Sequence, residues 1–391
     1  MNNSSQGSSI HWIELDALRG LAALLMIVNH LGVKTLAPNA MNSPLGSTIL
    51  LISSFAPVVF FFVTGVGYGL QSQHRKKGSH WYATLNKVAV LVLADLLMPW
   101  SEGRWLGLDF LGFIALSSLV LEVVRHSKSP IAYCVTGFIA ISLLRYLFGP
   151  FLHDLGADRQ VWGLSWVLGT SDTPGVSYPM SPWLAYPFAG YLLGSAAMRY
   201  QGFVESRRWR VVSSLFILAL FPLSMSLVMA SRGASFFRWG TVAFGFYLAS
   251  FAVLSVCLAV ILSLCGTPRL KAVQDAVSLR GIASLAVVPV HYFLIYWLAT
   301  CGIQGLDLFP YFLLAIPVLV ASFLLARAVE NLSRKLRQVK NLRALWLSLV
   351  AMFLLAAGLT LVFSHGDASV VMFTKTWGQL VLCLLFVVRW F

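Results

Sequence analysis

The sequence contains few charged residues. Asp, Glu, Lys and Arg make up only 11% of its 391 residues, whereas a soluble domain contains about 25%. Hydrophobic residues make up 58%, and the mean hydropathy is +0.80. This composition excludes an ordinary soluble enzyme. Because a helix satisfies its own backbone hydrogen bonds in lipid, the composition predicts an all-α polytopic membrane protein.

Cysteine is also scarce, and its positions exclude two kinds of site. The five cysteines are scattered, mostly within apolar segments: Cys134, Cys257, Cys265, Cys301 and Cys383. Their spacing matches neither a metal motif nor a disulfide framework. We therefore predict no metal site and interpret the cysteines as small buried residues.

About twelve apolar segments are long enough to span a bilayer or nearly so. They lie near residues 12–33, 48–71, 82–100, 108–125, 130–150, 182–199, 210–230, 239–265, 281–301, 308–328, 344–364 and 369–389. We predict 10–12 transmembrane helices in one domain, residues 1–391, with no fused soluble domain.

The net charge of +14 could indicate nucleic-acid binding, so the position of the basic residues decides its meaning. One set of alternate loops holds eighteen: Arg75, Lys76, Lys77, Arg125, Lys128, Arg199, Arg207, Arg208, Arg210, Arg269, Lys271, Arg280, Arg327, Arg334, Lys335, Arg337, Lys340 and Arg343. The other set holds six: Lys34, Arg104, Arg159, Arg232, Arg238 and Lys375. The positive-inside rule places the first set and both termini in the cytoplasm. We therefore predict a membrane topology signal and no nucleic-acid partner.

The first predicted span, IELDALRGLAALLMIVNH, contains Asp16, Arg19 and His30 among otherwise apolar residues. On an α-helix, Arg19 and His30 are separated by about three turns, about 16 Å of rise and about 20° of azimuth. Both side chains therefore point to one side of the helix, with Arg19 near the membrane surface and His30 near the midplane. Asp16 can pair with Arg19 one turn away.

Ionisable groups within a span cost free energy unless they are paired or line a wet cavity, so these residues are candidates for function. The alternative is structural: an Arg–Asp pair and a histidine that hydrogen-bonds to a neighbouring helix. The spacing alone leaves both interpretations open.

Two later spans contain further unusual residues. Gly65, Gly67 and Gly69 alternate in the second span, where they would admit either a packed helix or a slender ligand. His291 lies in mid-span just after Pro289, and it would either handle protons or form an interhelical hydrogen bond.

These stretches resemble a known group of membrane proteins. Arg19, ten residues and His30 are similar to the arginine–ten–histidine motif of acyltransferase family 3, and FFFVTG at 60–65 resembles its FF-x-x-SG stretch. Met26, the segment SPWLAYPFAGYLLG at 181–194 and the late SL…VH…LIY stretch are more similar to the related heparan-α-glucosaminide N-acetyltransferase branch and its bacterial relatives.

The resemblance implies a membrane O- or N-acyltransferase. It would move an acyl group, expected to be acetyl, from cytoplasmic acyl-CoA to a sugar of a cell-envelope or exported glycan. Acyl-CoA is then a co-substrate, and no permanently bound cofactor is expected. His30 matches the catalytic histidine and Arg19 the motif arginine, and His291 is expected to assist in proton transfer. Asp16 and Asn29 are expected to support them.

The predicted acyl-CoA site lies at the cytoplasmic end of the second span. Arg75, Lys76 and Lys77 are available to bind the phosphates. The pantetheine arm is expected to lie along Gly65 and Gly67.

The expected acceptor-binding residues are Trp183 and Tyr186, and the expected location is a bacterial inner membrane. Two other functions remain open: a proton-coupled transporter, and a non-catalytic component of polysaccharide assembly. The identity of the sugar, the acyl group and the oligomeric state are not determined by the sequence.

Overall fold

The computed structural model describes residues 12–72, 79–101, 106–156, 161–169, 176–231, 242–336, 338–339, 341–364, 366 and 368–387. Within these ranges the regular structure is helical, and the only β pairing consists of two isolated bridges. The predicted all-α polytopic class is therefore confirmed.

The α-helices are numbered here in chain order. They are α1 (Ile13–Thr35), α2 (Pro38–Asn42), α3 (Pro44–Ser53), α4 (Ala56–Gln71), α5 (Ser79–Ser101), α6 (Phe110–His126), α7 (Pro130–Leu143), α8 (Gly149–Asp154), α9 (Trp162–Leu168), α10 (Met180–Trp183), α11 (Ala185–Arg199), α12 (Gln201–Ser206), α13 (Arg208–Ser231), α14 (Phe244–Cys265), α15 (Lys271–Val277), α16 (Ala283–Thr300), α17 (Leu308–Leu336), α18 (Leu342–Phe363) and α19 (Ala368–Val387). A π-helical turn at Leu144–Phe148 joins α7 to α8.

Ten helical segments of the described chain are long and apolar enough to cross a membrane, and one of them, Pro44–Gln71, combines α3 and α4. Two further predicted segments correspond to shorter helices, α6 with 17 residues and α11 with 15. At 1.5 Å per residue these two helices are roughly 26 and 23 Å long. Every predicted segment therefore contains a helix, and the count of ten lies within the predicted range.

Contacts between loops identify the two ends of the helix bundle. Leu36, after α1, pairs with Leu306, before α17, and Leu108, before α6, pairs with Val176. At the opposite end, the backbone N–H of Leu279 donates to the carbonyl of Asp16. These described loops fall on the alternate ends that the sequence predicts. Lys375 differs, because it is a buried residue within α19 and not a loop residue.

Small residues allow α4 and α11 to pack backbone against backbone. A Cβ added to Gly65 would lie 2.0 Å from the carbonyl oxygen of Pro187, and one added to Gly190 would lie 2.0 Å from that of Phe62. Gly69 and Gly194 are in similarly close contact with the facing helix. Only glycine fits at these positions, so this pair of helices forms a rigid wall of the bundle.

The second span is broken between α3 and α4, at Ser54 and Phe55. Pro57 follows in the first turn of α4, where its missing N–H costs little. The side-chain amide of Asn29 donates to the carbonyl of Leu50 and to the hydroxyl of Ser53, each at 3.1 Å. Asn29 thereby holds α1 against the last turn of α3 and stabilises the break.

Candidate active site

Two cavities lie one above the other between the same six helices, α1, α4, α5, α6, α16 and α19. The first, called here the histidine cavity, encloses about 730 Å³, and its lining includes Asn29, His30, Asp95, Asp109, Tyr178 and Gln379. The second, called the arginine cavity, encloses about 990 Å³, and its lining includes Arg19, Thr64, Gly67, Tyr68, Lys87 and Ser284.

Each of the six helices contributes a residue to both cavities. Along α1, His30 lines the histidine cavity and Arg19 the arginine cavity. Along α5, Asp95 and Lys87 are divided in the same way. Since helices rise 1.5 Å per residue, Arg19 and His30 are about 16 Å apart along the bundle. The two cavities therefore lie at different heights between the same helices.

His30 and His291 form a hydrogen-bonded pair. Nδ1 of His30 lies 2.8 Å from Nε2 of His291, and Nδ1 of His291 lies 2.8 Å from the carbonyl oxygen of Val287. A carbonyl only accepts, so Nδ1 of His291 carries a proton. In a neutral pair, Nε2 of His291 then accepts from Nδ1 of His30. This assignment of hydrogens leaves Nε2 of His30 as an unprotonated lone pair.

Burial separates the roles of the two imidazoles. His291 is fully buried and does not line the cavity, whereas His30 is partly exposed and does. The ring of Tyr292 stacks on that of His30 with a centroid distance of 4.9 Å, and it makes a tilted contact with that of His291 at 4.4 Å. His291 and Tyr292 therefore hold the His30 ring in place, and His30 is the member of the pair that can meet a substrate.

The depth of His30 differs from the prediction. It lies five residues before the end of α1 at Thr35, which corresponds to about 8 Å of helix. The predicted midplane position rested on the rise of about 16 Å between Arg19 and His30, although the predicted span of residues 12–33 already ended three residues after His30. The imidazole is thus nearer to one surface of the bundle, beside the loops that carry Asp109 and Tyr178.

The arginine cavity presents two cations. Arg19 donates to Asp16 at 2.8 Å, as the one-turn spacing suggests, and Asp16 also lies 3.5 Å from Arg280. Lys87 donates to the hydroxyl of Ser118 at 2.9 Å and lies 5.4 Å from the ring centre of Tyr68. Lys87 is a residue that sequence reasoning missed, although a lone lysine inside an apolar segment was a visible signal.

The predicted acyl-CoA residues have different positions. Gly67 lines the arginine cavity, and a Cβ added there would meet no atom within 4 Å among the described residues. Gly65 instead faces α11, so its position supports the packing interpretation and gives no access to a ligand. Arg75, Lys76 and Lys77 lie outside the described residues.

The two residues predicted to bind the acceptor do not reach the histidine cavity. Trp183 and Tyr186 are fully buried in an aromatic cluster, where the hydroxyl of Tyr186 accepts from Ser250. Tyr178, whose ring centre is 5.1 Å from that of Trp183, does line the cavity. Burial raises the pKa of Tyr178 well above its usual value, so it remains a neutral hydroxyl. Trp183 packs against the ring of Tyr178 from within the core and does not itself line the cavity.

Two other polar residues of the histidine cavity were missed as site residues. Asp95 and Gln379 lie in the predicted spans 82–100 and 369–389, and the sequence pattern assigns neither of them a role. Both are buried and line the cavity. An isolated Asp in an apolar segment is a usable signal, whereas a lone Gln is too common in membrane helices to be one.

Comparison with protein families gives one match. The family model described as "Heparan-alpha-glucosaminide N-acetyltransferase, catalytic" matches residues 12–230, which is more than half of the chain. The chain belongs to this family. The matched segment includes Arg19, His30, Lys87 and Asp95, whereas His291 and Gln379 lie after it.

Comparisons with the curated proteins and with the solved structures give no match. The family match supports the N-acetyltransferase branch, and the resemblance to acyltransferase family 3 stays a prediction. The protein is therefore a membrane-embedded member of an acetyltransferase family, a class of transferase.

Proposed function

We propose that the protein transfers an acetyl group from acetyl-CoA to a sugar, with acetyl-CoA entering through the arginine cavity and the sugar occupying the histidine cavity. The observation that carries this proposal is the hydrogen-bonded pair of His30 and His291, with His30 lining a cavity that lies between the same helices as a basic one. Acyl transfer needs a base such as His30 close to the acceptor hydroxyl or amine.

The charge of the arginine cavity suits acetyl-CoA. CoA carries phosphates, which bind best to guanidinium and ammonium groups such as those of Arg19 and Lys87. Gly67 leaves the wall open beside them, where the slender pantetheine arm can pass. The arm has to cover about 16 Å along the bundle to bring the thioester to His30. The cations and the base are therefore separated in the way that this substrate requires.

The direct reaction moves one proton through His30. Nε2 of His30 takes the proton of the acceptor hydroxyl or amine while the acceptor atom attacks the thioester carbonyl. The carbon–sulfur bond breaks, the CoA thiolate leaves with the electron pair, and it takes that same proton from Nε2 of His30, which restores the lone pair. Nδ1 of His30 keeps its hydrogen bond to His291, which helps to stabilise the imidazolium that forms.

The same lone pair could instead attack the thioester and carry the acetyl group. That route forms an acetyl-imidazole first and transfers the group to the sugar in a second step. Both routes use His30 and differ in whether labelled protein accumulates without an acceptor. The name of the family makes a glucosaminide the first acceptor to test.

The sidedness of the reaction follows from the distribution of charge. Arg125 and Arg280, two described residues of the larger basic set, lie at the end of the bundle that holds the arginine cavity, and we infer that this end and both termini face the cytoplasm. The histidine cavity then faces the other compartment, where the sugar of a cell-envelope or exported glycan would be available.

A proton-coupled carrier is the second candidate, because two cavities between the same helices and an intramembrane histidine pair also suit transport. Membership of an acetyltransferase family favours the enzyme. Purified protein is incubated with radiolabelled acetyl-CoA and methyl α-D-glucosaminide, and the sugar is analysed for label. Label on the sugar supports the proposal, whereas uptake of sugar into proteoliposomes without transfer would overturn it in favour of the carrier.

A further inference from the structure

Two side chains that line the histidine cavity each contain a buried oxygen atom that can accept a further hydrogen bond. These atoms are Oδ1 of Asp95 and Oε1 of Gln379, and neither has a partner among the residues that the structure describes. Asp95 is 4% exposed and Gln379 is 3% exposed, and both side chains line the cavity. An unpaired buried acceptor costs free energy, so a native protein seldom leaves two together without a use for them.

Neighbouring contacts fix the direction of both side chains. The other carboxylate oxygen of Asp95, Oδ2, accepts from the backbone N–H of Asp109, which directly precedes α6. The amide nitrogen of Gln379 donates to the carbonyl of Ala94, at 3.1 Å. Because that carbonyl only accepts, the amide cannot be flipped, and Oε1 must be the atom without a partner. Because Gln379 bonds to Ala94 and Ala94 directly precedes Asp95, the side chains of Gln379 and Asp95 are neighbours in the wall of the histidine cavity.

We propose that Asp95 and Gln379 form an acceptor subsite that binds two hydrogen-bond donors of the sugar, hydroxyl or ammonium groups. The subsite lies in the cavity that His30 lines, so a sugar held there presents its reactive group to Nε2 of His30. This inference takes the sugar substrate from the proposed function. It assigns Asp95 and Gln379 a role in binding the sugar and no role in binding acetyl-CoA.

The charged residues of the histidine cavity limit further which sugars can bind there. Asp95 and Asp109 both line it, and no Lys or Arg does so within the described part of the chain. Nζ of the buried Lys375 lies 5.7 Å from the ring centre of Tyr292, and Lys375 does not line the cavity. A sulfate or carboxylate group would meet acceptor oxygens there and no lysine or arginine of the described residues that could bind it. The subsite therefore selects sugars that carry no anionic group where they bind.

Two variants test the subsite without removing the structural contacts of Asp95. Asp95→Asn keeps a carbonyl oxygen for the N–H of Asp109 but turns an N–H₂ group toward the cavity. Gln379→Met keeps the volume and removes the free oxygen. Thr376→Val is the control, because Thr376 is buried on the same helix, bonds only to carbonyls of its own helix in the described residues, and does not line the histidine cavity.

The readouts are the equilibrium Kd for methyl α-D-glucosaminide by calorimetry, and the KM values for this sugar and for acetyl-CoA. Both variants should weaken sugar binding about tenfold or more, with the KM for acetyl-CoA and the Kd of Thr376→Val unchanged. An unchanged sugar Kd in both variants, or no sugar binding to the native protein, would overturn the subsite. Sugar binding that the variants weaken, without transfer by the native protein, would support the subsite and defeat the proposed function.

A second comparison tests the charge selection. The 6-sulfate of methyl α-D-glucosaminide should bind the native protein about tenfold more weakly than the unsulfated sugar. Asp95→Asn should narrow that ratio, because it removes one negative charge and supplies a donor. Equal binding of the two sugars to the native protein would contradict the selection against anionic groups.

Discussion

The two cavities share their six helices but differ in charge. The arginine cavity is lined by Arg19 and Lys87 and by no carboxylate of the described residues, whereas the histidine cavity is lined by Asp95 and Asp109 and by no cation except a protonatable His30. A carrier for one substrate would be expected to offer similar groups along its path. Opposite charges at the two ends suit two different substrates, an anionic donor and a neutral or cationic acceptor.

The two ends also differ in how their ionisable groups are held. Arg19 has a carboxylate partner one turn away and a second cation, Arg280, beyond it. His30 has a neutral partner, His291, which is fixed by a backbone carbonyl. A paired cation suits electrostatic binding, whereas a neutral imidazole held by a neutral neighbour keeps the lone pair that a base needs. The first end is thus built for binding and the second for chemistry.

The largest effect is expected from His30→Gln. The amide can form hydrogen bonds but cannot take a proton, so transfer to methyl α-D-glucosaminide should fall by a factor on the order of 10³. The KM for acetyl-CoA should stay close to that of the native protein, because the arginine cavity is intact. Activity is measured in membranes at matched protein levels. A variant that keeps more than a few per cent of the native rate would make His30 structural.

His291→Ala should be impaired less than His30→Gln. Its loss leaves Nδ1–H of His30 without an acceptor, a penalty of about 1–3 kcal/mol, or roughly ten- to hundredfold in rate. His153→Ala is the matched control, since His153 lies on α8 and lines neither cavity. If His291→Ala abolished transfer as completely as His30→Gln, the division between a substrate-facing and a positioning imidazole would be wrong.

Arg19→Lys tests whether the arginine cavity binds acetyl-CoA. Lysine keeps the charge but loses the planar fork that binds phosphate oxygens in pairs, so the KM for acetyl-CoA should rise about tenfold while the KM for the sugar does not change. Arg334→Lys serves as the control, because Arg334 pairs with Glu330 on an exposed helix surface. If only the KM for the sugar rose, acetyl-CoA would not bind in the arginine cavity and this assignment would be wrong.

The smallest effects are expected from alanine substitutions at Gly65 and Gly67, which should differ in thermal stability. Gly65→Ala should destabilise the protein by about 1–3 kcal/mol, because the added methyl group meets the backbone of α11. Gly67→Ala should leave the thermal stability unchanged, since it points into open space among the described residues. Melting curves in detergent compare the two variants. Equal destabilisation would show that Gly67 is also packed, and the arginine cavity would lose its open wall.

The helical class and the positions of the spans could be predicted from sequence, because hydropathy is a local property of about twenty residues. The ion pair of Asp16 with Arg19 was predictable for the same reason, since both residues lie within one turn. The contact of His30 with His291 was not, because 261 positions separate them and only the packing of α1 against α16 brings them together.

Side-chain direction was the other limit. The alternating glycines of α4 could not show which of them faces α11 and which faces a cavity, and the structure assigns Gly65 and Gly67 to different sides. Trp183 and Tyr186 suited a sugar by chemistry, but neighbouring aromatic rings bury both of them. The sequence could not show that Asp95 and Gln379 lie side by side, because only the contact between α5 and α19 brings them together.

The central claim is that donor and acceptor reach His30 from opposite ends of one path. Proteoliposomes with the protein in both orientations are given labelled acetyl-CoA outside only, and methyl α-D-glucosaminide is either trapped inside or added outside. Both compounds are polar and do not cross the bilayer unaided, and His30→Gln vesicles control for leakage. The account predicts labelled sugar only when the two substrates are on opposite sides. Labelled sugar that forms only when both are outside would contradict it.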